Sequence, residues 1–292
     1  MKKDLPLISI VTPSFNQAGY LEQTLRSVLD QSYRNVEYIV MDGGSTDGSA
    51  GIIKKYEHRL KYWTSAKDAG QADAVYRGFE MATGEILGYI NSDDYYLPGA
   101  LRTVAECFAA SPGISWLIGG CVTVSSTGKS VTKFYGAGQD YDSLLNGGPV
   151  FYQMACFWRR RTFFDVGGFD RSLHFCFDYD LFLRLARHSP PAVLHRILAA
   201  YRAHEDSKTS RLASTVAVRE GNIVRERFGA SPMPEEARVH LHEVTQGNLR
   251  RQTRRYFYLD ALLDPVYFLR SCGATVRDSL LGRPAIPSRG DS

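Results

Sequence analysis

Leu7-Ile8-Ser9-Ile10-Val11-Thr12 is a short apolar, β-branched run stopped by Pro13, the pattern of a buried strand. Behind it Leu21, Leu25, Val28 and Leu29 recur at i, i+4, i+7 and i+8, one face of an amphipathic helix. The same alternation then repeats. Val36–Met41 reads as a strand and Ser49–Tyr56 as a helix; Leu60–Ser65 is the next strand, and Ala72, Val75, Tyr76 and Phe79 mark the next helical face. Glu85–Ile90 is a fourth apolar run, followed by a helix with Leu101, Val104, Cys107 and Phe108 inward. Four strand–helix alternations in about 110 residues predict an α/β fold with a mostly parallel central sheet and helices on both faces.

From Ile114 the pattern changes. Leu117–Val124 and Ser130–Phe134 alternate around Ser126-Thr127-Gly128-Lys129, a β-hairpin with a glycine turn. Gly136–Gly148 reads as a glycine-rich connection, Phe151–Trp158 as a strand and Arg161–Val166 as a short helix. A helix begins at Phe177, with Asp178 placed to cap it and Asp180 in its first turn; Ala192–Tyr201 is the last strand. Beyond Arg211 the chain reads as helical, Leu212–Phe228 and then, past Pro232 and Pro234, Glu235–Leu249. The expected organisation is one α/β domain over 1–210 and a helical extension over 211–292, with a disordered composition from Gly282.

Composition narrows the class. The 292 residues are 44% hydrophobic and 23% charged, an ordinary globular balance. The net charge of +4 is too mild to argue for nucleic acid. Cys107, Cys121, Cys156, Cys176 and Cys272 have no paired spacing and read as reduced thiols of a cytoplasmic protein. Met1-Lys2-Lys3-Asp4 runs into the first strand with no long apolar signal segment, and no stretch has the length of a membrane span. Residues 250–270 mix arginine, aromatic and aliphatic side chains. That composition suits a helix on an anionic membrane surface, or one packed on its own domain with a solvated basic face.

The candidate chemistry lies where the strands end. In a parallel sheet ligands collect beyond the carboxyl ends, and Asp42, Asp68 and Asp93-Asp94 all fall there. Adjacent carboxylates at the end of a buried strand are unfavourable without a cation, and Mg²⁺ favours carboxylate plus phosphate oxygens; Ser-Asp-Asp is also ordinary turn chemistry. Asp42-Gly43-Gly44-Ser45-Thr46-Asp47-Gly48-Ser49 is polar, glycine-rich and opens a helix, so it suits a phosphate or ribose, or a plain capped turn. Asp178 at a helix start is either a stabilising acid or a rigidly mounted general base. His204 alone reads as a hydrogen-bonded histidine as readily as a ligand.

Taken together, Thr12-Pro13-Ser14-Phe15-Asn16, Asp42–Ser49, Asp68-Ala69-Gly70-Gln71-Ala72-Asp73-Ala74, Asn91-Ser92-Asp93-Asp94, Phe177-Asp178-Tyr179-Asp180-Leu181 with Arg184, and Tyr201-Arg202-Ala203-His204 resemble family 2 glycosyltransferases of the GT-A fold. The resemblance runs from about Pro6 to Thr209. It implies a Rossmann-like catalytic domain that transfers a sugar with inversion from a nucleotide-sugar, UDP- or dTDP-linked, to an acceptor hydroxyl. Thr12, Pro13, Ser14 and Asn16 would line the nucleotide, Asp42 and Gly43 would meet the base, and Asp68 and Gln71 the base, ribose or diphosphate. Asp93 and Asp94 would divide sugar contact and Mg²⁺ or Mn²⁺ binding between them. Asp178 would be the base, and His204, helped by Lys208, would reach the metal or diphosphate. The implied acceptor is a saccharide or lipid-linked glycan of a bacterial surface polymer, met in the cytoplasm or at the inner membrane face. Two departures stand out: Asn91 replaces the usual first aspartate of the acidic motif, and Phe177 replaces a common glutamate. A sugar nucleotidyltransferase and an inactive nucleotide-sugar-binding protein are the competing readings.

Overall fold

The computed structural model describes residues 5–136, 138–212 and 216–233. In the first half β1 (Ile8–Ser14), α1 (Ala18–Leu29), β2 (Val36–Asp42), α2 (Ser49–Lys55), β3 (Tyr62–Ser65), α3 (Gln71–Met81), β4 (Ile86–Tyr89) and α4 (Ala100–Ala110) follow the expected alternation. β5 (Tyr95–Tyr96), unanticipated, lies between β4 and α4. The hairpin is β6 (Trp116–Ser125) with β7 (Ser130–Phe134). Then come α5 (Tyr141–Gly147), β8 (Cys156–Arg159), α6 (Arg160–Asp165), α7 (Phe177–His188), β9 (Ala192–Ala203), α8 (Lys208–Leu212) and α9 (Val216–Arg227).

The strands form one nine-stranded mixed sheet in the order β3-β2-β1-β4-β8-β6-β9-β5, with β7 added on β6. β3, β2, β1 and β4 run parallel, the portion the strand–helix alternation foretells. β8 pairs antiparallel with both β4 and β6, whereas β9 runs parallel to β6 and antiparallel to β5.

Side-chain alternation divides the core between the two sheet faces. Ile8, Ile10, Tyr38, Val40 and Ile86 pack with Leu21 and Leu25 of α1 and Leu101 and Val104 of α4. Val11, Ile39, Met41, Leu87 and Tyr89 point the other way, onto Val75 and Phe79 of α3 and Leu181 and Phe182 of α7. Successive strand residues face opposite sides, so continuous apolar runs cover both layers. α3 lies so close to β1 that a Cβ on Gly78 would stand 2.6 Å from Val11 Cγ1. Removing a filler such as Phe79, which is fully buried, would cost about 3–5 kcal/mol.

Four local expectations are corrected. Phe151–Ala155 is not strand: a 3₁₀ turn occupies Gln153–Ala155 and the strand begins at Cys156. The Gly136–Gly148 connection contains α5, capped by Asp140 accepting from Ser143 N. Asp178 does not cap α7, because the N-cap is Cys176 and Asp178 lies inside the first turn. The helical run placed at Leu212–Phe228 starts earlier, with α8. Glu235–Leu249, residues 250–270 and the Gly282–Ser292 end lie outside the described residues. Among the described residues no helix is long and apolar enough to cross a membrane, and Cys107, Cys121 and Cys156 are free thiols.

Candidate active site

The carboxyl ends of β1, β2 and β4 meet in one place because these strands are neighbours in register, Ser14 opposite Asp42 and Val11 opposite Tyr89. Two loops build the floor, stitched together by side chains. Asn16, at φ +52, accepts Thr46 N at 2.9 Å and donates its own N–H to Ser45 Oγ at 2.8 Å. Asp47 accepts Ala18 N at 2.8 Å and Ser49 N at 3.0 Å. Asp42 is buried, and its carboxylate accepts from Ser45 N at 2.9 Å, Ser45 Oγ at 2.5 Å and Ser65 Oγ at 2.6 Å. Thr12 is also buried and pairs with Tyr38 Oη at 2.8 Å. Ser14 Oγ, by contrast, is a buried hydroxyl with no protein partner. Such an orphan at a strand end is a ready contact for a ligand.

Gly43 makes room for Asp68. A Cβ there would stand 3.0 Å from Asp68 Oδ2. Asp68 accepts Gly70 N at 2.8 Å, and its pKa is raised by burial, with the charges of Asp73 and Asp42 adding. α3 then starts at Gln71, which links three parts of the site. Its Nε2 donates to Asn91 Oδ1 at 2.6 Å and its Oε1 accepts Lys208 Nζ at 2.6 Å. Asn91, the departure from the acidic motif, is thus a neutral link in a chain to α8, its Nδ2 donating to Asp94 Oδ2 at 3.5 Å.

The two adjacent aspartates diverge. Asp94 is 1% exposed, and its Oδ1 accepts Arg202 N at 2.9 Å. Burial, then the charge of Asp93, hold its pKa well above the usual carboxylate range. Asp93 faces the other way, with Oδ2 3.1 Å from His204 Nε2. His204 is brought there by the end of β9, and its Nδ1 is buried without a protein partner. Arg202 locks the arrangement: it donates to Asp93 O at 3.0 Å, Ser126 O at 3.0 Å and Gln23 Oε1 at 2.5 Å, between the rings of Tyr20 and Tyr95.

Asp178 enters from α7. Its Oδ1 accepts Tyr179 N at 2.7 Å. Burial lifts its pKa to about 6 against the opposing pull of Tyr179 N and the Lys208 charge. Lys208 is itself held low by burial, with Asp178 and Glu220 opposing, and it also donates to His174 O. Lys208 joins this carboxylate electrostatically to Gln71, and through Gln71 to Asn91; a pKa near neutrality is what proton transfer at neutral pH requires.

The family model for glycosyl transferase family 2 matches residues 9–168, more than half of the chain. The chain belongs to glycosyl transferase family 2. This family 2 chain is 29% identical over 146 residues to the GalNAc(5)-diNAcBac-PP-undecaprenol beta-1,3-glucosyltransferase of Campylobacter jejuni, covering 49% of the chain and 46% of that relative. Its structure resembles TarS 1–349 of S. aureus in complex with UDP-GlcNAc, with a TM-score of 0.61 at 16% identity over 92% of the chain and 80% of TarS 1–349. It also resembles the mannosyltransferase PcManGT of Pyrobaculum calidifontis in complex with GDP-Man and Mn²⁺, with a TM-score of 0.56 at 18% identity over 94% and 84%. The GT-A fold expected from the motifs is therefore the fold observed.

The structure brings Ser14, Asn16, Gly43, Asp68, Gln71, Asp93, Asp178 and His204 to one end of the sheet and gives Thr12, Asp42 and Asp94 internal partners. Sequence reading missed Arg202 as the bracket of the acidic pair, although it stands two residues before His204. It also missed Glu220, whose carboxylate accepts three backbone N–H groups at the entrance of α7. No motif carries Glu220, because its partners are backbone atoms 44 to 46 residues away.

Proposed function

We propose that this family 2 protein is an inverting, metal-dependent transferase that moves a sugar from a UDP- or dTDP-linked donor to an acceptor hydroxyl. The observation that carries the reading is Asp178, half-buried at the start of α7, with a pKa of about 6 and within the electrostatic reach of Lys208. Lys208 in turn reaches the acidic strand end through Gln71 and Asn91. Ser14, Asn16, Gly43, Asp68 and Gln71 hold the nucleotide and its ribose or diphosphate, while Asp42 and Thr12 keep the floor rigid. Asp178 takes the acceptor hydroxyl proton as that oxygen attacks the anomeric carbon opposite the diphosphate, through an oxocarbenium-like transition state.

Asp93 and His204 fit a divalent ion. A carboxylate oxygen and an imidazole nitrogen converge at 3.1 Å, and donor diphosphate oxygens would complete the shell that Mg²⁺ or Mn²⁺ prefers. Such an ion supplies Lewis-acid neutralisation of the leaving diphosphate. Asp94, bonded to Arg202 N, fixes the turn that presents Asp93. No group of three or more His, Cys, Asp or Glu suited to a metal occurs among the described residues.

The acceptor we propose is a lipid-linked saccharide of a bacterial surface polymer, by analogy with the undecaprenol-linked substrate named for the Campylobacter relative. It would be met at the inner membrane face, with residues 250–270 touching the membrane. The test is a panel of nucleotide-sugars with product analysis. Release of nucleoside diphosphate with an inverted linkage supports the reading. Pyrophosphate as product would make the protein a nucleotidyltransferase, and binding without turnover would make it a non-catalytic binder. Sedimentation of the full chain with anionic phospholipid vesicles, but not neutral ones, tests the membrane contact.

A further inference from the structure

α9 lies beyond the matched family segment, yet it sends one carboxylate into the catalytic half of the molecule. Glu220 is 3% exposed. Its Oε1 accepts His174 N at 2.9 Å, and its Oε2 accepts Phe175 N at 2.7 Å and Cys176 N at 3.0 Å. Three successive N–H groups form an anion-binding concavity. α7 has no side-chain cap of its own, since its N-cap is Cys176 and makes none. A negative charge at the start of this helix also answers its dipole.

The same turn does a second job. The carbonyl of His174, whose N–H is held by Glu220, accepts Lys208 Nζ. Lys208 donates besides to Gln71 and carries the positive charge nearest in effect to Asp178. Burial raises the pKa of Glu220, but its three N–H donors override this and hold it below the ordinary carboxylate value. Glu220 is therefore ionised wherever the enzyme works.

We propose that Glu220 is a positioning residue for transfer: through the His174–Cys176 turn it sets the entrance of α7, which carries Asp178, and the carbonyl that holds Lys208. The proposal rests on Asp178 being the base. Misplacing a reacting group by about 1 Å can cost on the order of 100-fold in rate, so a backbone turn two residues before Asp178 is a sensitive place to anchor.

The groups that answer Asp178 electrostatically are Tyr89 of β4, Cys156 of β8 and Lys208 of α8. Tyr89 and Cys156 are held neutral by burial. Lys208 is the one whose charge can shift the base, and a loosened Lys208 leaves Asp178 harder to ionise.

The experiment compares full-length wild type, Glu220→Gln, Glu220→Asp and Lys208→Met with a donor that the wild type turns over. In Glu220→Gln, kcat should fall about tenfold or more while donor KM stays within about threefold. The acid limb of kcat should move to higher pH, and Glu220→Asp, which keeps the charge, should recover part of the loss. Glu220→Gln and Lys208→Met should be non-additive, as expected of one network. A folded Glu220→Gln with unchanged kcat overturns the proposal. So does a loss matched by the unfolded fraction with an unmoved acid limb, or strict additivity with Lys208→Met. Should Glu220→Gln not fold, the acid limb of Glu220→Asp decides by the same criterion. No transfer by the wild type with any donor would sink the parent reading and this one together. Active wild type with an indifferent Glu220 sinks this one alone.

Discussion

His204 Nε2 lies 3.1 Å from Asp93 Oδ2, across 111 residues of sequence. The contact exists because β9 returns through the sheet to end over the β4 turn, and because Arg202, two residues earlier, ties that turn to β9 through Asp93 O. Of the two adjacent aspartates, the one turned outward meets the histidine.

His204→Ala should therefore raise the Mn²⁺ or Mg²⁺ concentration needed for half-maximal transfer by about tenfold or more. Metal titrations of wild type and variant measure it. An unchanged requirement would remove His204 from the metal shell, and transfer that survives EDTA would remove the metal.

Asp178→Asn should lower kcat by about 100-fold or more while nucleotide affinity changes little. In the wild type, kcat should fall about tenfold per pH unit below about 6, where Asp178 takes up a proton. A flat acid limb would show that another group is the base.

The same shift has a consequence for stability. Asp178 titrates at about 6 when folded against an ordinary value of 3.8, so between those values the folded state binds the extra proton. Its contribution is then most favourable below pH 3.8, weakens as pH rises towards 6 and is constant above. Asp178→Asn removes the unfavourable buried charge and should raise the Tm at pH 7.5 relative to wild type, with a smaller difference at pH 4.5. A lower Tm at pH 7.5 would contradict the burial of an ionised group.

Arg202→Met should destabilise the fold by about 2–4 kcal/mol, because it strands Asp93 O, Ser126 O and Gln23 without donors. Urea unfolding measures it. A loss below about 0.5 kcal/mol would show that water replaces the guanidinium without penalty.

Gly43→Ala places a Cβ 3.0 Å from Asp68 Oδ2, so the carboxylate must move. Donor affinity should fall several-fold, and the effect should largely vanish in an Asp68→Ala background, the signature of contacting residues. Isothermal titration with nucleoside diphosphate reads both. Equal losses in the two backgrounds would mean that Asp68 is not where Gly43 acts.

The sequence by itself determined the alternating strands and helices up to α4, the two-faced core and the gathering of Asp42, Asp68 and Asp93-Asp94 at strand ends. Hydrophobic period and chain direction are local properties, and a parallel sheet places every strand end of one sense on one side. It also supplied the ordered motifs that identify the family. Tertiary structure alone decided which partners the members of those motifs take. Asp42 accepts from Ser45 and Ser65, and Asp94 from the N–H of Arg202, partners that the sequence motif does not name. Glu220 looks like one acid on an unremarkable helix, yet it closes the turn before Asp178. Hydrogen-bond demand is met by whatever donor the folded chain brings near, and backbone donors leave no mark in the amino-acid code.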